Sequence, residues 1–189
     1  MTETFSKEEI RDIIISVVAI SFIFAYPRFG VFLLYSFAIV IVAFLFHELA
    51  HKFVARKFSC QAFYKMWPMG ILMGTLLMFV GVKFVAPGAV VINPYRFGRW
   101  GYKKKNITFV EIGKIAAAGP AVNLLFAGVF YLLGGEIFSF MSFINGWLAF
   151  FNLLPVGPLD GKKVFGWKPW LWLVMIITAV GFSIPQILF

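Results

Sequence analysis

The chain has 189 residues, 61% of them hydrophobic and 13% charged, with a mean hydropathy of +0.91. A soluble domain is roughly 45–50% apolar and about 25% charged. The composition therefore excludes an ordinary soluble fold, and the length allows about five to six membrane crossings of about 20 residues each. The net charge of +9 comes from 17 Lys and Arg against 8 Asp and Glu; in so apolar a chain it reads as basic loops on one membrane face, not as a nucleic-acid surface.

Residues 1–12 are mixed in charge and read as a short polar tail. The apolar run from Ile13 to Tyr26 has no small-x-small cleavage site after it, so it reads as a first transmembrane helix ended by Pro27, Arg28 and Gly30. A second helix is expected over 31–57. It is apolar to Phe46 and continues through HELAHKFVARKF, with Lys52, Arg56 and Lys57 marking its exit from the membrane. At 1.5 Å per residue, His47 lies about 24 Å from the start of that helix, at membrane depth toward the basic end.

Residues 70–92 are apolar but interrupted by Gly70, Gly74, Gly81, Pro87 and Gly88, with Lys83 inside and a β-branched end. A basic loop, 95–105, follows. A helix over 111–134 carries AAAGPAVNLLFAG, in which Gly113, Ala117 and Ala121 form a small-residue face suited to close helix packing. After a break at Gly134–Glu136, a helix over about 137–154 ends in NLLPVGPLDGKK, where prolines stop regular structure. A last helix is expected over about 168–188. The whole reads as an all-α polytopic membrane protein in a single domain, 1–189, with a partly β, re-entrant segment near 70–92.

The chemistry concentrates in His47-Glu48-Leu49-Ala50-His51, an HExxH pattern. On a helix, residues four apart share a face, so both imidazoles can hold one metal ion, with Glu48 placed to take a proton from water. Two imidazoles and a carboxylate at membrane depth are costly unless used. The donors suit zinc, with iron and cobalt as alternatives. A catalytic zinc takes a third protein ligand. There is no third histidine, and Cys60, the lone cysteine, is also unable to form an intramolecular disulfide or a CxxC site. The remaining candidates are carboxylates: Glu3, Glu8, Glu9 and Asp12 in the tail, Glu111 at a helix start, Glu136 in a break, and Asp160 in a Pro- and Gly-framed turn. Paired with HExxH, Asp160 is the best of them.

HELAH in an apolar helix, followed over a hundred residues later by NLLPVGPLDG, resembles the site-2 protease family of intramembrane zinc metalloproteases, as does the AAAGPAVN stretch between them. The resemblance covers about residues 31–165, the expected catalytic core. It implies that His47, His51 and Asp160 bind one zinc ion, that Glu48 is the catalytic glutamate, and that Asn152 lies near the substrate backbone. The expected activity is endoproteolysis in or near a transmembrane helix of a membrane-protein substrate. Two departures stand out: Lys162 follows LDG where the family often has a second glycine, and no PDZ domain is present. A membrane metal transporter would use the same ligands but has no need of Glu48, and a catalytically silent binding protein would hold membrane helices without cutting them.

If the three ligands share an ion, the helices ending at His51 and before Asp160 must run parallel. The chain between 57 and 137 then crosses an odd number of times. With 111–134 as one crossing, residues 70–92 must enter and return on one side or cross twice, and the glycines favour re-entry. Re-entry collects fifteen of the seventeen basic residues on one face, Arg28 and Lys83 being the exceptions. By the positive-inside rule that face is cytoplasmic, which puts the site toward the cytoplasm, the N-terminus inside and Phe189 outside.

Overall fold

A computed structural model describes residues 5–83, 86–93, 95–98, 101–104 and 106–183. The chain is mostly helical. Helix α1 (Lys7–Ala25) starts under a Ser6 cap whose hydroxyl accepts the Glu9 N–H at 3.1 Å. Helix α2 (Val31–Val40) runs through a π-helical turn, Ile41–Leu45, into α3 (Phe46–Lys57), so that Val31–Lys57 is one 27-residue helix with HExxH just beyond the bulge. Strand β1 (Gln61–Met66), helix α4 (Pro68–Phe79) and strand β2 (Gly88–Asn93) follow, and β1 pairs antiparallel with β2 with Tyr64 opposite Val90. A hairpin of β3 (Tyr95–Gly98) and β4 (Gly101–Lys104) leads to α5 (Phe109–Leu133), α6 (Glu136–Asn152), α7 (Asp160–Trp167) and α8 (Pro169–Ser183).

Several sequence expectations shift. The first helix begins six residues earlier than Ile13, and the polar tail is part of it: Glu9 and Asp12 are buried, because their carboxylates accept strand N–H groups. Lys52 does not mark a solvated helix exit; it is 2% exposed and paired with Glu9. The basic loop contains the β3–β4 hairpin. Asp160, expected in a Pro- and Gly-framed turn, stands in the first turn of a helix, α7, that was not expected. Residues 184–188 of the expected last helix and Glu3 lie outside the described residues.

The segment between β1 and β2 leaves and returns at one place. The Trp67 N–H donates to Pro87 O at 2.7 Å, and a Cβ on Gly70 would lie 2.0 Å from Ala86 O, so glycine there lets the returning backbone close on α4. Helix α5 starts with a capping box, Thr108 and Glu111, and ends at Gly134 and Gly135, whose φ values of +67° and +86° suit glycine.

One cluster packs α5 to α8 together through Ala117, Ala149, Leu153, Val164, Met175 and Ala179. A second joins α1 to the long helix and the sheet through Ile20, Val40, Phe44 and Tyr64. Burying side chains of the size of Leu153 and Val164 contributes roughly 1.5–3 kcal/mol each. Two helices, Val31–Lys57 and Phe109–Leu133, are long and apolar enough to cross a membrane, yet only 28% and 39% of their apolar windows are buried within the chain. Large apolar side chains such as Leu34 (69% exposed) and Leu132 (84%) point outward.

Gly113 of the expected small-residue face on α5 has a defined partner, whereas Ala121 of that face is exposed. A Cβ on Gly113 would lie 2.4 Å from the Cβ and Cγ of Trp167, so α7 seats its last residue directly on α5. Gly113→Ala is expected to destabilise the protein by about 1–3 kcal/mol, the usual cost of overpacking. Thermal unfolding checks this, and a Tm equal to that of the parent contradicts the close contact.

Candidate metal centre

Two imidazoles and one carboxylate converge where α3, α5 and α7 meet. His47 Nε2 and His51 Nε2 stand 3.0 Å apart, one helical turn from each other. Asp160 Oδ2 stands 3.5 Å from the first and 3.0 Å from the second. The three ligand atoms all lie within 4.8 Å of one another. Tetrahedral zinc ligands at their ordinary bond lengths are about 3.3 Å apart, so the spacing fits one ion.

The outer nitrogens of both rings fix which atoms face inward. His51 Nδ1 meets Ile115 O at 2.7 Å, so it donates, leaving Nε2 for a cation. His47 Nδ1 meets Asn123 Oδ1 in a short contact. The Asn123 amide is oriented by its own donations, to Ala43 O at 2.8 Å and Asn145 Oδ1 at 3.0 Å, so its oxygen is the atom turned to His47. Asn145 in turn donates to Met141 O at 2.8 Å. Ala43 lies in the π-turn, the kind of local irregularity that often marks a functional site.

Three acceptor atoms then face one another, and only a shared proton or a metal cation can hold them together. A carboxylate beside two imidazoles whose inner nitrogens are free to donate electron pairs is the donor set that a metal ligand site requires. Space for an ion is built in by α5: a Cβ on Gly119 would lie 2.3 Å from His51 Nε2 and 2.6 Å from His47 Nε2. The donor set, its spacing and this glycine all fit zinc.

Glu48 lies beside the ligands, half-buried, and its Oε2 accepts the Val90 N–H at 3.1 Å. All four residues line one cleft of about 1490 Å³, together with Val90 of β2 and Asn152 of α6. Asn152 donates its Nδ2 to Leu148 O on its own helix, at 3.0 Å.

The other carboxylate candidates are used elsewhere. Glu9 and Asp12 bind strand amides, Glu111 completes the α5 cap, and Glu8 and Glu136 are exposed. Among the described residues, only Asp160 joins the histidines. Sequence reading missed Asn123, Asn145 and Gly119 as parts of the site. The AAAGPAVN stretch marked their neighbourhood, but not the ring nitrogen that Asn123 serves.

Partners that orient a ligating histidine typically matter 10–100-fold in metal affinity. Asn123→Ala is accordingly expected to weaken zinc binding by about 10–100-fold, read by chelator competition. An unchanged affinity contradicts the role given to the His47–Asn123 contact.

No model of a known protein family and no solved structure matches the chain. It is 39% identical over 192 residues, 95% of each chain, to a protein of Methanocaldococcus jannaschii provisionally named a zinc metalloprotease. It is 31% identical over 150 residues, 66% of this chain and 64% of the relative, to a Bacillus subtilis protein that carries the same provisional name. Extensive identity to the first relative and a built His-His-carboxylate site lead to one conclusion: the chain belongs to this zinc metalloprotease family.

Proposed function

We propose that the chain is an intramembrane endopeptidase of the site-2 protease kind, cutting a peptide bond in or near a transmembrane helix of a membrane-protein substrate. The observation that carries this reading is the convergence of His47, His51 and Asp160 beside Glu48 on a helix whose remaining surface is apolar and mostly unburied. Such a helix needs an apolar surrounding, and its reactive groups face inward to a cleft.

The multi-pass arrangement has further support. The bond between Trp67 and Pro87 returns α4 and its following loop to their starting point, as a re-entrant segment would. Irregular backbone at membrane depth is tolerated only against protein or a water-filled cavity, and the residues at this return line the cleft. The cytoplasmic placement of the site, and an N-terminus on that side, rest on the charge distribution.

The chemistry follows from the residues. Zinc held by the three ligands would supply a water acidified toward neutral pH and would polarise the scissile carbonyl. Glu48, within the same cleft, takes the proton of the attacking water and passes it to the leaving amide nitrogen. The Nδ1 donations of His47 and His51 keep the imidazoles in the ligating tautomer throughout. A helical substrate hides its carbonyls in its own hydrogen bonds and must unwind locally. The edge of β2 at 90–92 offers replacement bonds by strand addition. Asn152, which lines the same cleft, meets the substrate backbone in this reading.

The test is Glu48→Gln in the purified protein, with a model membrane-spanning substrate. Cleavage is expected to fall by about 10²–10⁴-fold, the usual contribution of a general base, with one zinc per chain retained. Persisting cleavage in this variant contradicts the reading.

A further inference from the structure

The β1–β2 sheet has two edges, and α1 treats them differently. Along a strand, successive backbone groups point to opposite edges. The Tyr64 N–H donates to Glu9 Oε1 at 2.8 Å and the Met66 N–H to Asp12 Oδ2 at 3.2 Å, so the even-numbered groups of β1 point away from β2, toward α1. Glu9, Asp12 and Ser16 lie on one face of α1, and Ser16 completes the clasp with a 2.9 Å bond to the Tyr64 hydroxyl. Opposite Tyr64 and Met66 in the register are Val90 and Gly88, whose groups therefore point out of β2 on the other side. That open edge borders the cleft, and its Val90 N–H already meets Glu48.

Glu9 does a second thing. Its other oxygen pairs with Lys52 Nζ at 2.5 Å, and both side chains are almost fully buried, at 3% and 2%. Lys52 follows His51 directly in the chain. One carboxylate thus bridges the sheet and the helix that carries the metal ligands. A surface acid would not be held this way. The arrangement sets how far along the strand direction β2 stands relative to the metal centre.

We propose that Glu9 and Asp12 are positioning residues, which fix the register of a strand-docked substrate against the metal centre by locking β1 to α1 and α3. This rests on the endopeptidase reading above and deepens it. Neither residue touches substrate. They act through β1, which carries β2, which receives the polypeptide beside Glu48. A sheet free to shift would present more than one peptide bond to the site, because a displacement of about 3.4 Å along a strand is one residue.

The experiment reads register in two ways, using the full-length zinc-loaded protein with the Cys60→Ala change and Val91→Cys added. Val91 is 40% exposed on β2 and lines the cleft. A series of membrane-spanning substrates, each with one cysteine, is tested for disulfide formation with position 91, and the cleavage products of the parent protein are mapped. In the parent, one substrate position is expected to dominate crosslinking and one bond to dominate cleavage. Asp12→Ala, which removes the acceptor for Met66, is expected to spread both over neighbouring positions and to raise KM several-fold, with zinc retained. Asp12→Asn keeps an acceptor oxygen and is expected to restore the single register.

A second variant covers failure of Asp12→Ala to fold. Glu9→Gln with Lys52→Met keeps an acceptor for Tyr64 but cuts the tie to α3 without stranding a buried charge; it is expected to spread the register in the same way. A variant that folds, binds zinc and keeps a single crosslink, a single cleavage site and the parent KM overturns the proposal, whatever its stability. Crosslinking does not depend on bond cleavage. A sheet that binds in one register without cutting therefore refutes the protease reading alone, whereas cutting in an unaltered register by the variants refutes this inference alone.

Discussion

Three electron-pair donors turned toward one point dominate this protein. His47 Nε2, His51 Nε2 and Asp160 Oδ2 stand 3.0–3.5 Å from each other. That arrangement is repulsive unless a cation is shared, and much of the surrounding structure serves to hold it. Ile115 O and Asn123 Oδ1 fix the outer ring nitrogens, Gly119 keeps the inner space clear, and Trp167 on Gly113 seats the helix that begins with Asp160. Buried polar groups persist only when their partners are complete. Here the chain of contacts runs from Met141 O through Asn145 and Asn123 to His47, whose inner nitrogen faces His51 and Asp160.

The surroundings explain why so polar a centre can exist in so apolar a chain. The inner faces of α3, α5 and α6 carry the network, while residues such as Leu34 and Leu132 face outward. The sheet adds another device. Its β1 edge is closed by carboxylates from α1, which removes the pairing hazard that an open strand carries. Its other edge, on β2, borders the cleft, where the Val90 N–H meets Glu48.

What could be read from the sequence was what is local. HExxH announces itself because four-residue spacing on a helix places two imidazoles together whatever the rest of the chain does. Asp160 was reachable because few carboxylates remained and the NLLPVGPLDG stretch resembles a known partner motif. The limits of Val31–Lys57, α5 and α6 followed from apolar run lengths, Pro and Gly, whereas the early start of α1 and the helices α4 and α7 did not. Glu9 and Asp12 looked like a solvated tail because charge in a terminal segment usually is; only the antiparallel register of β1 shows that they accept strand amides. Strand β1 itself, QAFYKM, does alternate, with Ala62 and Tyr64 buried, but six residues containing a lysine gave too weak a signal. Asn123 was illegible for a different reason: its role depends on α5 crossing α3 at His47, a fact of packing and not of spacing.

The central claim is that His47, His51 and Asp160 hold one zinc ion. X-ray absorption at the zinc edge of the purified protein tests it most directly. The expected spectrum is that of one zinc per chain with two imidazole nitrogens, oxygen donors and no sulfur. Sulfur scattering from Cys60, or a spectrum unaltered in Asp160→Ala, would contradict the assignment.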